Sequence, residues 1–278
     1  MIGAIIGDIS GSFREFTKQN KYPELGIMPT VDELPPHIGG KVFRYGLTDD
    51  SLLTIATADA IMANVDNVKA PHEYEFGSHY YRYGNQYKDP IGGFGGGFLA
   101  WLRSDGNVPY NSCGNGSAMR VSPVAYVATS VGECLELAFR SSIPTHNHPE
   151  GIKGAQATAL SIYMARHGST WAEIKDELEA QYLWYEPVAE LGYFDAICQD
   201  TMRLVNHVLN TTSTFEEAML KAVTIPYSDS DTIGAIVGSI AEPLYGIPDD
   251  LKIRAIQMIP PELTVTITKF LSRYVVDV

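Results

Sequence analysis

Cysteine and basic side chains are both scarce in this chain of 278 residues. The three cysteines, Cys113, Cys134 and Cys198, are odd in number and far apart. They predict neither a disulfide framework nor a zinc motif, and they favour a reducing compartment, the cytoplasm. Lysine and arginine number 20 against 33 acidic residues, which gives a formal net charge of −13. Such an acidic chain, without a run of basic residues, argues against electrostatic binding of nucleic acid or of a membrane surface.

Long apolar runs are also missing. No stretch approaches the roughly 18 consecutive apolar residues that suggest a membrane-spanning helix. The apolar N-terminal segment has no basic region and soon reaches Asp8, so we interpret it as mature protein rather than a signal peptide. Apolar residues make up 45% of the chain, which is ordinary for a folded domain. Because no linker, repeat or low-complexity segment interrupts it, we expect one domain over residues 1–278.

Helical periodicity dominates the chain and predicts an all-α, compact multi-helix fold. No segment alternates convincingly enough to predict a strand. The proline- and glycine-rich segment 18–40 is longer than usual for a loop, which favours a lid or a substrate-contacting loop. Predicted helices cover approximately residues 48–64, 72–87, 96–103, 117–128, 132–141, 146–166, 170–181, 193–209, 214–221, 232–245, 249–258 and 261–274.

Two acidic clusters stand where predicted helices begin, LTDDS at Leu47–Ser51 and YSDSDT at Tyr227–Thr232. Each could be a plain N-cap, since capping oxygens and acidic first turns stabilise helix starts. One cap needs only one such residue, however, and adjacent carboxylates repel each other unless a cation relieves them. If the clusters converge, six oxygen ligands would suit Mg²⁺, Mn²⁺ or Ca²⁺, and four carboxylates could balance two divalent ions. The ligands would be Thr48, Asp49, Asp50, Asp229, Asp231 and Thr232.

Two glycine-rich segments have both a structural and a functional interpretation. Gly3, Gly7 and Gly11 recur every fourth residue, which on a helix would let another backbone approach closely. Asp8 and Glu15 lie seven residues apart, so on the same helix they could share a face. The segment CGNGSAMRVSP, residues 113–123, precedes or opens a helix and could bind an anion through free N–H groups, or form a simple turn and cap.

Two weaker candidates accompany these segments. The run GGFGGG at residues 92–97 is a second flexible loop that could approach a phosphate. His146 and His148 could be metal ligands, but a histidine at a helix start more often caps or packs. We therefore expect both histidines to line a pocket at most.

Five blocks taken in order resemble the ADP-ribosylglycohydrolase family, which includes the dinitrogenase-reductase-activating glycohydrolases. They extend from Gly3 to Gly246 and are GDISGSFRE, LTDDS, GNGSAMRVSP, THNHPEGIKGA and SDSDTIGAIVGSIAEPLYG. The resemblance implies an all-α domain with two Mg²⁺ ions in a cleft, or Mn²⁺ in some members. It also implies hydrolysis at the anomeric carbon of the distal ribose of an ADP-ribosylated protein or a small ADP-ribose conjugate.

The resemblance assigns roles residue by residue. The metal ligands fall on the six residues of the two acidic clusters, and Glu15 falls near the scissile bond, with Asp50 as the other candidate base. Asp8 is assigned a structural role behind the ligands. The cleft-lining residues are Asn115, Gly116, Ser117, Met119 and, beside the nucleotide, His146.

The chain departs from the family pattern where Tyr227 and Ser228 replace a pair of glycines. Two alternatives stay open at this point. The protein could be a catalytically silent ADP-ribose-binding protein of the same fold, or a two-metal phosphohydrolase that cuts the pyrophosphate.

Overall fold

The computed structural model describes residues 1–15, 26–28, 37–38, 41–42, 46–191 and 194–275, and it confirms the all-α class. The described helices are, in chain order, α1 (Ile2–Ser12), α2 (Asp49–Asp66), α3 (Gly77–Gln86), α4 (Gly96–Arg103), α5 (Gly116–Met119), α6 (Val124–Val127), α7 (Val131–Ser142), α8 (Pro149–Arg166), α9 (Trp171–Ala180), α10 (Cys198–Leu209), α11 (Phe215–Val223), α12 (Ser230–Tyr245), α13 (Asp249–Met258) and α14 (Pro261–Tyr274).

Helices α1 and α12 pack backbone against backbone at the centre of the fold. A Cβ built on Gly7 would lie 1.9 Å from the Gly234 carbonyl oxygen, and one on Gly3 would lie 2.1 Å from that of Gly238. Only glycine permits such an approach, which confirms the packing role predicted for the glycine repeat. Because Gly11 meets the start of α12 at Ser230, the two helices run antiparallel. The acidic start of α12 therefore lies beside the end of α1.

Helix α12 is buried from Ser230 to Ala241. It packs against α1, α2, α5, α8, α10 and α11. A helix that is apolar on all sides is typical of the centre of a large helical domain. The burial of α12 fixes the position of the acidic residues at its first turn.

Several predicted boundaries are wrong, and proline explains the clearest case. The predicted helix 117–128 is two helices, because α5 ends at Met119 and α6 begins after Pro123. Proline lacks an N–H and disfavours a helical conformation at the residue before it. The predicted helix 72–87 begins only at Gly77, after a 3₁₀ turn over Pro71–Glu73.

Two other predicted helices begin later than expected. The helix predicted over 146–166 begins at Pro149, with His148 as its N-cap. The helix predicted over 193–209 begins at Cys198, and Tyr193 lies outside the described residues.

A short antiparallel pair of strands, β1 (His37–Ile38) and β2 (Lys41–Val42), was not predicted. Strands of two residues are too short to show alternation, which is why the pattern missed them. Most of the candidate loop 18–40 lies outside the described residues, so its proposed role as a lid stays a prediction. Among the described helices, none is both long and apolar enough to cross a membrane.

Candidate active site

The two acidic clusters converge in the folded chain. Thr232 Oγ1, in the first turn of α12, donates a hydrogen bond to Asp50 Oδ2, in the first turn of α2, at 3.3 Å. Carboxylate oxygens of Glu15, Asp229 and Asp231 lie within 4.8 Å of one another. A cavity of about 360 Å³ opens onto this group and is also lined by Asp49. The sequence expectation that distant segments meet is therefore correct.

Asp8 of α1 holds the start of α2 in place from behind. Its carboxylate accepts hydrogen bonds from Thr48 Oγ1 at 2.8 Å and from the backbone N–H groups of Thr48 and Ser51 at 3.1 and 3.0 Å. Burial raises the pKa of Asp8 to about 6, although these hydrogen bonds oppose the rise. Asp8 is fully buried and is not among the described residues that line the cavity.

The acidic cluster carries more negative charge than a buried site tolerates alone. Burial, together with repulsion between neighbouring carboxylates, raises the pKa of Asp49, Asp50 and Asp231 well above the usual range. The same causes raise the pKa of Glu15 to about 7, with burial first and repulsion from Asp229 second. Protons or cations must relieve such a cluster.

The donor set fits hard divalent cations. Asp50 Oδ1 is buried and has no hydrogen-bond partner among the residues that the structure describes. Buried carboxylate oxygens are normally paired, so an unpartnered one facing other carboxylates is expected to take a ligand. The converging side chains offer only oxygen atoms, and Mg²⁺ and Mn²⁺ prefer carboxylate and hydroxyl oxygen. The residues present therefore fit divalent cations of this kind.

Thr48 Oγ1 lies 3.3 Å from Asp50 Oδ2, the oxygen that Thr232 also contacts. The Thr48 hydroxyl donates to Asp8 and accepts from the Asp50 N–H at 3.1 Å as the N-cap of α2. Thr48 does not appear among the described residues that line the cavity. The remaining five proposed ligands do line it: Asp49, Asp50, Asp229, Asp231 and Thr232.

The glycine-rich segment before α5 forms one wall of the cavity. Asn115 Nδ2 donates to Asp229 Oδ2 at 2.7 Å and to Thr201 Oγ1 at 3.0 Å, which ties this wall to the acidic cluster. Gly116, Met119 and His146 line the cavity as expected. Ser117 does not line it; its hydroxyl donates to the Gly151 carbonyl at 2.6 Å.

Sequence reasoning missed several residues of the cavity wall. Phe94, Phe98 and Tyr110 supply aromatic surface beside the glycine run 92–97. Arg120 also lines the cavity and is fully buried. Arg120 lies inside the quoted block GNGSAMRVSP, so a basic residue next to the glycine turn was the available signal. Phe94 lies inside the quoted run GGFGGG, whereas Phe98 and Tyr110 carry no motif that could have identified them.

The sequence model of the family described as ADP-ribosylglycohydrolase matches residues 1–267. ADP-ribosylarginine hydrolase Tri1 of Pseudomonas putida is 23% identical over 270 residues, covering 89% of this chain and 70% of Tri1. ADP-ribosylhydrolase ARH3 of Bos taurus is 24% identical, covering 79% of this chain and 65% of that protein. The chain thus spans about two thirds of the length of these relatives.

Another relative and a solved structure also have names that refer to ADP-ribosyl glycohydrolases. ADP-ribosyl-[dinitrogen reductase] glycohydrolase of Rhodospirillum rubrum is 28% identical, over 51% of this chain and 50% of that protein. A solved structure titled ADP-ribosylglycohydrolase-related protein complex superposes with a TM-score of 0.68 at 19% identity. The superposition covers 98% of this chain and 96% of the solved chain. The two chains therefore share the fold over nearly their whole lengths.

Proposed function

Because this chain belongs to the ADP-ribosylglycohydrolase family, we propose that it is a metal-dependent hydrolase that cleaves the glycosidic bond of ADP-ribose conjugates and releases ADP-ribose. The observation that carries the proposal is the meeting of the two acidic clusters at one cavity. The relatives' names point to ADP-ribosylated proteins and related conjugates as the substrate class.

The oxygen ligands would hold two Mg²⁺ ions, or Mn²⁺, at the acidic end of the cavity. Divalent ions bound there would neutralise the carboxylates, orient ribose hydroxyls and acidify water. Asp50 and Thr232 would contribute from the two helix starts, already linked at 3.3 Å. Asn115 would hold Asp229 in its orientation through the bond at 2.7 Å.

Glu15 is the proposed general base. It lies three residues beyond the end of α1, with a carboxylate oxygen next to those of Asp229 and Asp231. In the metal-free protein, burial and repulsion from Asp229 raise the pKa of Glu15 to about 7. Proton transfer by a positioned general base typically contributes about 10²–10⁴-fold to a rate. Asp50 is the second candidate, but its Oδ2 is already bonded to Thr232.

The phosphates and the base of the substrate would occupy the remaining wall. Gly114 and Gly116 allow close approach of an anion to the backbone before α5. Phe94, Phe98 and Tyr110 offer aromatic faces of the kind on which a nucleobase packs. The cavity therefore offers separate surfaces to the ribose end and to the nucleotide end.

A substrate panel tests this function. The protein is incubated with arginine-linked, serine-linked and O-acetyl ADP-ribose, in Mg²⁺, in Mn²⁺ and in excess EDTA, and the products are identified by mass spectrometry. We expect free ADP-ribose from at least one conjugate with metal and none in EDTA. Full turnover in EDTA, or AMP with a ribose phosphate, would contradict the proposal. Binding of conjugates without any product would favour the silent binding protein.

A matched pair of variants locates the activity. Asp231→Asn should lower turnover by at least ~10²-fold, since it removes one charge and one ligand oxygen from the cluster. Asp176→Asn, on the exposed face of α9, should leave turnover unchanged. Equal rates for the two variants would place the chemistry elsewhere.

A further inference from the structure

Arg120 is a fully buried guanidinium that lines the cavity. It stacks on the ring of Tyr80, with its Cζ 4.0 Å from the ring centroid. Nη2 donates to the Ser141 carbonyl at 3.0 Å and to Thr145 Oγ1 at 2.7 Å. Nε and Nη1 have no hydrogen-bond partner among the described residues. Burying a charge without a paired carboxylate costs free energy, so we infer that Arg120 has a role beyond packing.

The bond from Arg120 determines where the proton of Thr145 goes. A guanidinium can only donate, so Thr145 Oγ1 accepts at that contact. Thr145 Oγ1 also lies 2.8 Å from His146 Nδ1. If Nδ1 carried a proton and donated it, the hydroxyl proton of Thr145 would have no acceptor within the described residues. Buried hydroxyl groups are normally satisfied, so the hydroxyl donates and Nδ1 accepts.

An accepting Nδ1 places the ring proton of a neutral imidazole on Nε2. His146 lines the cavity, and Nε2 lies against the glycine turn: a Cβ on Gly116 would be 3.0 Å from Nε2, and one on Gly114 would be 3.6 Å away. No described residue accepts a hydrogen bond from Nε2. The only proton of this ring that is free to donate therefore faces the cavity beside the proposed anion-binding turn.

We propose that Arg120 and Thr145 are positioning residues that hold His146 in the tautomer with the proton on Nε2, ready to donate to a phosphate oxygen of the ADP-ribose half of the substrate. The choice of ligand rests on the proposed function, whereas the tautomer does not. Burial, and secondarily the charge of Arg120, lowers the pKa of His146 well below its usual range, so the ring is neutral at physiological pH. The donor thus acts without a positive charge of its own.

The first test measures the tautomer in the full chain without ligand. Histidine is labelled with ¹⁵N, and the resonances of His146 are identified by their loss in His146→Gln. We expect an unprotonated Nδ1 and a protonated Nε2 in the wild type. Thr145→Val should shift the ring toward a mixture of tautomers, and Thr145→Ser should restore the wild-type spectrum. A protonated Nδ1 in the wild type would overturn the proposal.

The second test titrates ADP-ribose in Mg²⁺ by calorimetry. Thr145→Val should weaken binding about tenfold, the size of a lost hydrogen bond to a charged group, and Thr145→Ser should bind like the wild type. Thr158→Val is the matched control, because Thr158 is equally buried but donates to the Gly154 carbonyl within α8. An unchanged tautomer and affinity in Thr145→Val would also overturn the proposal. A wild-type protein that does not bind ADP-ribose but shows the expected tautomer of His146 would contradict the proposed function and not the tautomer.

Discussion

Tyr227 adopts a left-handed backbone conformation, with φ at +55°, two residues before Asp229. The resemblance implies glycine at this point in many relatives, and glycine is the residue that reaches this conformation without steric cost. A tyrosine held there loses about 1 kcal/mol against glycine. The acidic loop thus has this left-handed conformation even though the residue that adopts it most readily, glycine, is absent.

Replacing Tyr227 by glycine should therefore raise the free energy of unfolding by about 1 kcal/mol, measured by urea denaturation. Tyr227→Ala is the control, because it removes the ring but keeps the Cβ that causes the strain. We expect the alanine variant to show no such gain. A glycine variant less stable than the alanine variant would show that the ring, rather than the backbone, determines the energy.

Substitution of Glu15 tests whether this residue is the general base. Glu15→Gln keeps the shape of the side chain but removes the base, so kcat should fall by about 10²-fold or more while the Kd for ADP-ribose changes little. Glu262→Gln on the exposed first turn of α14 is the control and should behave like the wild type. A Glu15→Gln variant with wild-type kcat would remove Glu15 from the proposed chemistry.

The sequence predicted which residue types form the site better than it predicted how their side chains are oriented. Asp49, Asp50 and Asp231 line the cavity as expected, because they lie in the first turns of α2 and α12, which meet there. Thr48 and Ser117 lie in the same motifs but do not line the cavity: the Thr48 hydroxyl donates to Asp8 and the Ser117 hydroxyl donates to the Gly151 carbonyl. Spacing along a chain does not say which way a side chain turns, so those two positions could not be settled from sequence.

Between elements, the contact of α1 with α12 determines where the acidic segments meet. A methyl group at Gly7 would collide with backbone atoms of Gly234, which no rotamer change can relieve. Gly7→Ala should therefore lower the free energy of unfolding by about 3 kcal/mol, the upper range of overpacking effects. Thermal and urea unfolding measure the loss.

Gly132 provides the control for that substitution. It lies within α7, and a Cβ built on it meets nothing within 4 Å. Gly132→Ala should be neutral or stabilise by about 0.4–1 kcal/mol, because alanine has less freedom in the unfolded chain. If Gly7→Ala were as well tolerated as Gly132→Ala, the close backbone contact would not exist in solution.

Element boundaries show what periodicity can and cannot predict. Helices α4, α13 and α14 match their predicted bounds, because glycine or proline marks where they begin or a charged first turn opens them. The break at Pro123 was missed because apolar residues continue on both sides of it. The strands β1 and β2 were not predicted because each has only two residues, which is too short to show alternation of polar and apolar residues.

For the molecule as a whole, the buried carboxylates predict how stability depends on pH. In the metal-free protein, the pKa of Glu15 is raised to about 7 and that of Asp8 to about 6. The folded state therefore binds protons that the unfolded state has already released above its ordinary carboxyl pKa. That contribution to stability is full below about pH 4 and is lost as the pH rises through 6 to 7.

Divalent cations should offset this loss, because their positive charge stabilises the ionised form of the carboxylates around them. We expect Mg²⁺ to raise the Tm more at pH 8 than at pH 5, measured by differential scanning fluorimetry. Asp231→Asn at pH 8 should abolish most of the Mg²⁺ shift, whereas Asp176→Asn should retain it. A Mg²⁺ shift that is equal at both pH values would show that the cluster is not the binding site.

Crystals grown with Mn²⁺ offer the most direct measurement of the central claim, through anomalous scattering. We predict two anomalous peaks in the cavity, within coordination distance of carboxylates from both acidic clusters, Asp49–Asp50 and Asp229–Asp231. Absence of both peaks at saturating Mn²⁺, or peaks that touch only one of the two clusters, would contradict a shared metal centre.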